Sequence, residues 1–197
     1  MVFKEKEYYQ DSFKNIELNE NSISNIEFDS CTFELCNFEF SELRRCKFID
    51  CQFVNCNLSN VKWPFCTFND VEFSHCKMIG IDWTKVGWSN FNFTSPIKCF
   101  QCNVSDNSFY GLQMMELTLQ ECKVHQVDFR EGNFANSDFS LSDFTFSQFS
   151  NTNLENCNFT EAFEYQIDVR HNKIAKAKFS KLEAINLLFG LEIELVE

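Results

Sequence analysis

The 197-residue sequence predicts an all-β solenoid, a rod built from stacked four-sided coils. Three observations predict this class: an apolar residue at every fifth position, cysteines that keep one place in the five-residue unit, and separations of twenty between many of those cysteines. A period of five is neither the 3.6 of an α-helix nor the two of a β-strand. It therefore indicates a repeat architecture, in which neighbouring units share one core.

The apolar period is almost unbroken. From Phe3 to Phe93, every fifth residue is apolar, at 19 positions in succession. The phase then slips by one at residues 95–99, and the period continues to Phe179, with Val169 as one of its members. Because each unit places this central residue at the same point, the central side chains are predicted to line a continuous core.

The cysteines keep the same register. Ten of the 11 lie two residues before a central residue, a place that we call the minus-two position. Free cysteine behaves as a small buried hydrophobe, so these thiols are predicted to be reduced and buried. A metal site would need close cysteine pairs or interleaved histidines, which the multiples of five do not supply, so no metal or cofactor is predicted. Unpaired thiols in this number are typical of a reducing cytoplasm. The ten are Cys31, Cys36, Cys46, Cys51, Cys56, Cys66, Cys76, Cys102, Cys122 and Cys157.

Separations of twenty predict four five-residue units per coil, and therefore four flat faces. Cys36, Cys56 and Cys76 would then stack above one another, as would Cys102 and Cys122. Stacked coils lie about 4.8 Å apart, so about 180 residues would give roughly nine coils and a rod about 40 Å long.

This pattern resembles the pentapeptide-repeat proteins, whose repeat is a small residue, Asn or Asp, Leu or Phe, a small polar residue and any residue. The stretch from Gly132 to Asn158 matches most closely, with Ser-Asp-Phe-Ser at residues 137–140 and Ser-Asp-Phe-Thr at residues 142–145. The resemblance covers nearly the whole chain. It implies a right-handed quadrilateral parallel β-helix.

One subgroup is similar in its C-terminal run. Residues 162–180 and the apolar tail look like the end of the Qnr-type quinolone-resistance proteins, of related chromosomal proteins and of immunity proteins against gyrase poisons. This resemblance implies a homodimer that binds DNA gyrase or topoisomerase IV. The Qnr-type proteins of Gram-negative bacteria carry larger projecting loops, and this chain is predicted to have room for at most a small one near residues 95–99.

The chain is predicted to be one domain over residues 1–197. Lys6 and Asp11 fall on inward positions, so an irregular N-terminal cap is predicted for about residues 1–15. Residues 180–197 are predicted to form a C-terminal helix, started by a capping box of Ser180 and Glu183, followed by a strand. The charged N-terminus does not resemble a signal peptide, and no apolar run is long enough for a membrane span.

The predicted C-terminal helix has one apolar side, which exceeds what a solvated cap requires. We therefore predict that it makes a two-fold interface between two copies of the chain. The alternative is that the helix folds over its own last coil. The residues predicted for dimerisation are Leu182, Ile185, Leu188, Phe189 and Leu191.

The net charge is −12, and acidic residues concentrate between Asp106 and Asp168, where cations are few. Summed over all faces, this density is close to that of duplex DNA, which carries one charge per about 1.7 Å. Such a rod would enter a basic DNA-binding surface, although acidity also serves solubility. No direct binding to nucleic acid is predicted. The residues predicted to contact a partner are Asp106, Glu116, Glu121, Asp128, Glu131, Asp138, Asp143, Glu155, Glu161 and Asp168.

No catalytic motif is found, and a rod filled by side chains offers no concave site, so the protein is predicted not to be an enzyme. Two functions remain open. The first is a DNA mimic that binds type II topoisomerases and protects them from quinolones or a peptide toxin, or modulates them. The second is a scaffold for an unrelated partner. Exposed apolar corners at Leu35, Phe40, Phe65, Leu141 and Phe146 are predicted for either.

Overall fold

The computed structural model describes residues 3–88, 97–191 and 193. Within them the chain winds through about eight coils, slightly fewer than the sequence predicts. Each strand pairs in parallel with the strand one coil further on, as Phe13 pairs with Phe33 and Phe33 with Phe53. A period of five combined with this pairing places every fourth unit in one column, which confirms the four faces.

We number the faces in chain order within a coil. Face 1 carries the longest ladder, and face 2 is held by single bridges such as Asn37 to Asn57. The strands of face 1 are Ser12–Lys14, Thr32–Glu34, Gln52–Val54, Val71–Ser74, Ile97–Phe100, Thr118–Gln120, Asn158–Phe159 and Lys178–Phe179. Face 3 has strands Ser22–Ser24 and Glu42–Arg44 and a 3-10 helix at Trp83–Lys85. Face 4 has strands Glu7–Tyr9, Glu27–Asp29, Lys47–Ile49 and Thr67–Asn69.

Each coil turns at corner residues with left-handed backbone. Glycine and Asn adopt positive φ most easily, and Gly80, Gly111 and Asn136 occupy corners, at φ 72°, 69° and 63°. Bulky residues adopt it as well. The five apolar residues predicted at corners all have positive φ and large exposure, from 38% at Leu141 to 67% at Phe146. The side chains at these corners therefore point away from the core.

The core consists of stacked central residues and small minus-two residues. On face 1, the Phe53 ring stacks on Phe33 at 4.5 Å and on Phe73 at 5.0 Å. All 11 cysteines are free and buried, which confirms the predicted register. Their thiols bond to the backbone: the Cys36 amide donates to Cys56 Sγ at 3.4 Å, and Cys56 Sγ donates to the Phe33 carbonyl at 3.3 Å.

Regular structure begins at Glu7, within the residues 1–15 that are predicted to form an irregular cap. Strands at Glu7–Tyr9 and Ser12–Lys14 pair with the next coil in full register. The Lys6 and Asp11 side chains are exposed, yet their carbonyls accept the Glu27 and Thr32 amides at 2.8 and 2.9 Å. The regular backbone tolerates these polar residues because the first coil is open on one side. Phe3, only 2% exposed, packs against the end of the core.

The phase slip hides a longer insertion than one residue. Lys77 pairs with Asn103, and the Cys76 amide donates to Cys102 Sγ. The partners in both pairs are 26 residues apart, so this coil is 26 residues long. A count by fives cannot distinguish one extra residue from six. Ile97–Phe100 is already a paired strand, so the extra residues come before it. Phe93 and residues 95 and 96 lie outside the described residues.

The last coil departs from the predicted period at Val169. Tyr165 and Ile167 are buried there, at 0% and 2% exposure, whereas Val169 is only partly buried. The Tyr165 ring packs against Phe159 and Phe179, at 5.7 and 5.4 Å. Ile167 bridges to Phe149, which is 18 residues earlier, so this unit starts two residues early.

The C-terminal helix is a 3-10 helix, Glu183–Leu191, and the predicted capping box is absent. Ser180 Oγ instead accepts the Glu161 amide at 2.8 Å, which ties the segment to the preceding coil. Gly190 lies within the helix rather than after it. A Cβ there would come within 2.8 Å of Asp168 Cγ, so glycine allows the helix to approach the last coil closely. Among the described residues, no helix is long and apolar enough to cross a membrane.

Candidate interaction surface

The ten acidic residues predicted to contact a partner are spread over all four faces. Their columns follow from the bridges between coils and from the corner positions. Face 1 and its corner carry Glu121, Asp138 and Glu161, and face 2 carries Asp106 and Asp143. Face 3 carries Asp128, Glu131 and Asp168, and face 4 carries Glu116 and Glu155. The ten therefore do not form one continuous patch.

Four of the aspartates have a structural role in the turn. Asp128, Asp138, Asp143 and Asp168 each accept the backbone amide two residues later through Oδ1, at 2.9–3.1 Å. Short polar side chains commonly stabilise turns in this way. The outward Asp or Asn of the repeat therefore belongs first to the fold.

Two of these aspartates are also paired with an arginine, and a third with a histidine. Arg130 lies 2.7 Å from Asp128, His125 lies 2.6 Å from Asp143, and Arg170 lies 2.9 Å from Asp168. Hydrogen bonds from Arg130 and Arg170 lower the pKa of Asp128 and Asp168. Burial opposes the ionisation of Asp143, but bonds from Thr145 and His125 prevail and lower its pKa. The arginine pairs weaken the acidic character of face 3.

Five other acids lie together without a cation. Glu116 sits on the corner that leads into face 1, Glu155 lies beside that corner, and Glu121, Asp138 and Glu161 lie on face 1 and its far corner. We call these five residues the acidic face. None of them makes an ion pair within the part of the chain that the structure describes, and no Lys or Arg lies on face 1 or its corners between Cys99 and Ala175.

The acidic face has the charge spacing of a single DNA strand. Its five carboxylates occupy three successive coils, or about 14 Å at the spacing of a β-ladder. This is one charge per about 3 Å, close to the 3.4 Å per charge along one strand of DNA. Neutral donors order some of the carboxylates: Gln101 Nε2 donates to Glu121 at 2.6 Å, and Asn158 Nδ2 donates to Asp138 at 3.1 Å.

Sequence reasoning missed the arginine pairs, although a signal was present. In each unit the residues before and after the central one both point outward, so Asp and Arg two positions apart lie side by side. Asp128 with Arg130 and Glu42 with Arg44 follow this rule, and Asp168 with Arg170 has the same separation around Val169, which is not a central residue. All four arginines of the chain lie on face 3 or its corner, at Arg44, Arg45, Arg130 and Arg170.

The residues predicted for dimerisation lie at the end of the rod. Leu182, Ile185 and Leu191 are 86%, 49% and 37% exposed, and Leu188 is half-buried. The Phe189 side chain lies outside the described residues. Leu187, which the sequence did not single out, packs on the core instead. The helix therefore covers the last coil with one edge and presents several apolar side chains to solvent.

Nothing in the described residues resembles a metal centre, since no group of three or more His, Cys, Asp or Glu could hold an ion there. The buried thiols bond to backbone carbonyls, as Cys66 Sγ does to Leu43 O at 2.9 Å. What the geometry offers is a set of flat, differently charged faces, suited to contact with another macromolecule.

Comparison with known proteins places this geometry in a family. A sequence profile for the pentapeptide repeat region matches residues 26–96 and 82–159. The chain belongs to the pentapeptide-repeat family, and its fold is the right-handed quadrilateral parallel β-helix that the sequence predicts.

Among solved structures, it is similar to QnrB1, described as a plasmid-mediated fluoroquinolone resistance protein. One trypsin-treated form of QnrB1 is 21% identical, with a TM-score of 0.66, over 97% of this chain and 92% of that one. A second is 20% identical, with a TM-score of 0.67, over 94% and 100%. Full-length QnrB1 is 19% identical, with a TM-score of 0.54, over 95% and 100%. A comparison with curated protein sequences finds no match.

Proposed function

We propose that this protein binds a type II topoisomerase, DNA gyrase or topoisomerase IV, by occupying a basic surface that otherwise holds DNA. The observation that carries the proposal is the acidic face, whose five carboxylates occupy three coils and form no ion pair within the described residues; on face 1 the nearest lysines, Lys98 and Lys178, lie in the coils on either side. The fold shared with QnrB1 and the resemblance of the C-terminal run support the choice of partner. Protection from a quinolone or a peptide toxin would follow from this binding.

Charge mimicry makes the binding sensitive to salt. The corner carboxylates Glu116, Glu121 and Glu161 are exposed, so their attraction to a basic surface is screened over about 8–10 Å at physiological ionic strength. The acidic face also repels DNA, which means that the protein and DNA would compete for one surface rather than bind together.

We also propose that two copies associate through the C-terminal helix. The exposed Leu182, Ile185 and Leu191 would be covered in a two-fold interface, which would join the rods end to end. Light scattering tests this separately: a mass near 23 kDa at micromolar concentration would exclude the dimer.

The proposed function is tested by binding to purified gyrase and topoisomerase IV on a sensor surface. We expect binding that weakens at least tenfold between 50 and 200 mM salt, that excess duplex DNA displaces, and that inhibits supercoiling over the same concentration range. Absence of binding to both enzymes at low salt would reject the proposal and leave the scaffold function. Binding that is insensitive to salt and DNA would reject charge mimicry.

A further inference from the structure

Face 3 of the N-terminal half contains a groove that the acidic face does not explain. The groove has a volume of about 440 Å³ and lies between the exposed Phe40 corner and residues 62–64. Gly80 occupies the corresponding corner two coils later, where a Cβ would come within 2.5 Å of Asn60 Oδ1. A second cavity of about 470 Å³ continues toward the N-terminus and shares Glu42 and Arg44 with the first.

Phe40 is an exposed aromatic residue at a corner whose backbone conformation disfavours bulky side chains. It is 58% exposed, and its φ of 56° is a conformation that bulky side chains disfavour. Phe65, on the opposite corner of the face, is 60% exposed at φ 59°, and Arg45 lies over its ring at 5.7 Å. Phe40 lines the groove, whereas Phe65 lies at the far corner of face 3, outside the groove lining.

The groove region is basic in an acidic protein. Between residues 40 and 86, face 3 and its corner carry four cations, Arg44, Arg45, Lys62 and Lys85, and two acids, Glu42 and Asp82. Glu42 pairs with Arg44 at 2.9 Å and Asp82 with Lys85 at 3.8 Å. Lys62 lines the groove, and Arg45 lies over the Phe65 ring at the far corner of the face; neither forms an ion pair within the described residues.

We propose that this groove binds an acidic peptide segment that carries an aromatic side chain. The aromatic group would pack against Phe40 and Pro64, while carboxylates of the segment would meet Lys62 and Arg45. This combination follows the usual anatomy of a peptide site, in which an apolar anchor gives affinity and a few charges give orientation.

Charge favours a peptide over nucleic acid. A nucleic acid strand carries a phosphate at every step and would extend beyond the basic region onto faces 2 and 4. On those faces acids outnumber cations, and the whole chain has a net charge of −12. A peptide can concentrate its few carboxylates at Lys62 and Arg45 and stay neutral elsewhere.

The test uses the full-length chain and a fluorescent nine-residue peptide in which Glu alternates with Ser around one central Phe. A second probe has Gln in place of Glu, and a third is a nine-nucleotide oligo-dT. We expect the Glu probe to bind, the Gln probe to bind at least tenfold more weakly, and oligo-dT to bind more weakly than the Glu probe by anisotropy.

Matched variants locate the site. Phe40→Ser and Lys62→Gln should each weaken the Glu probe at least fivefold. Phe146→Ser and Lys123→Gln should change it less than twofold, because Phe146 is a similarly exposed corner at φ 60° and neither residue lines this groove. Tighter binding of oligo-dT, no binding of the Glu probe at millimolar protein, or equal effects in both pairs of variants would overturn the proposal. Thermal unfolding confirms that the variants are folded.

Discussion

The two halves of the rod, before and after the 26-residue coil, share one backbone but fill the minus-two position differently. In the N-terminal half cysteine dominates, and in the C-terminal half Ser137, Ser142, Ser147 and Thr152 replace it. The thiol and the hydroxyl both accept a hydrogen bond from a buried amide of the preceding coil. The Cys36 amide bonds to Cys56 Sγ at 3.4 Å, and the Cys122 amide bonds to Ser142 Oγ at 2.8 Å. At these positions a side-chain acceptor satisfies the buried amide one coil away, whereas the amides of Val61 and Gly132 bond to carbonyls of their own coil, at Leu58 and Phe129.

The difference between thiol and hydroxyl should appear in the folding stability at alkaline pH, because thiols ionise there. Burial raises the pKa of Cys51 and Cys157 to about 12, and a hydrogen bond with Cys102 together with burial raises that of Cys76 to about 12. A raised pKa in the folded state gives stability that is complete below the unfolded value of 9.0 and is lost between about pH 9 and 12. The loss is at most about 1.4 kcal/mol per pH unit for each thiol.

We therefore expect the N-terminal half, with seven of the 11 cysteines, to open first above pH 9. Brief alkylation followed by peptide mass spectrometry should modify Cys51 and Cys76 before Cys157, and almost none of the cysteines at pH 7 without denaturant. In a variant with Ser at positions 51, 56 and 76, the remaining N-terminal thiols, such as Cys36 and Cys66, should no longer be labelled before Cys157. Labelling of Cys157 first in the unmodified protein would contradict the comparison.

The aromatic ladder should make the N-terminal core the more sensitive to cavities. Phe53→Ala should lower the free energy of unfolding by about 3–5 kcal/mol, because it removes a buried ring stacked on both sides. Phe139 occupies the same column in the other half, where its neighbours are Leu119 on one side and, on the other, Phe159, whose ring is tilted by 52°. Urea unfolding should show a smaller loss for Phe139→Ala, and the reverse order would contradict the role of stacking.

One minus-two residue in the C-terminal half, Gly132, has no room for a larger side chain. A Cβ on Gly132 would come within 2.3 Å of Phe134 Cε2, so Gly132→Ala should destabilise the protein by about 1–3 kcal/mol through overpacking. Gly111 is the control: no atom lies within 4 Å of an added Cβ, and only its φ of 69° disfavours alanine. Gly111→Ala should therefore cost less, as judged by thermal unfolding.

The periodic part of the fold could be predicted because each unit repeats one local rule. The positions of the central phenylalanines and the minus-two cysteines predicted their burial, and the separations of twenty predicted the four faces. Where the rule is broken, local pattern failed: the count by fives hid an extra unit before Ile97, and Tyr165 with Ile167 displaced Val169 from the core. The helix at Glu183–Leu191 passes close to Asp168 at Gly190, an approach that sequence spacing does not show.

The acidic surface was predictable only in part. The sequence identified the acidic stretch, but not which members share a face, because that depends on the stacking of coils. The structure separates Glu116, Glu121, Asp138, Glu155 and Glu161 from acids such as Asp128 and Asp168, which Arg130 and Arg170 neutralise. This separation makes the functional proposal sharper than total charge allows.

The most direct test compares two variants of equal net charge in binding to purified gyrase. One carries Glu116→Gln, Glu121→Gln, Asp138→Asn and Glu161→Gln on the acidic face. The other carries Asp106→Asn, Asp128→Asn, Glu131→Gln and Asp143→Asn on faces 2 and 3. The Asn replacements keep the oxygen that accepts the turn amide at the three turn positions. We predict that the first variant binds at least tenfold more weakly than the unmodified protein and the second less than threefold. Equal losses in both, or no loss in the first, would contradict the acidic face as the binding surface.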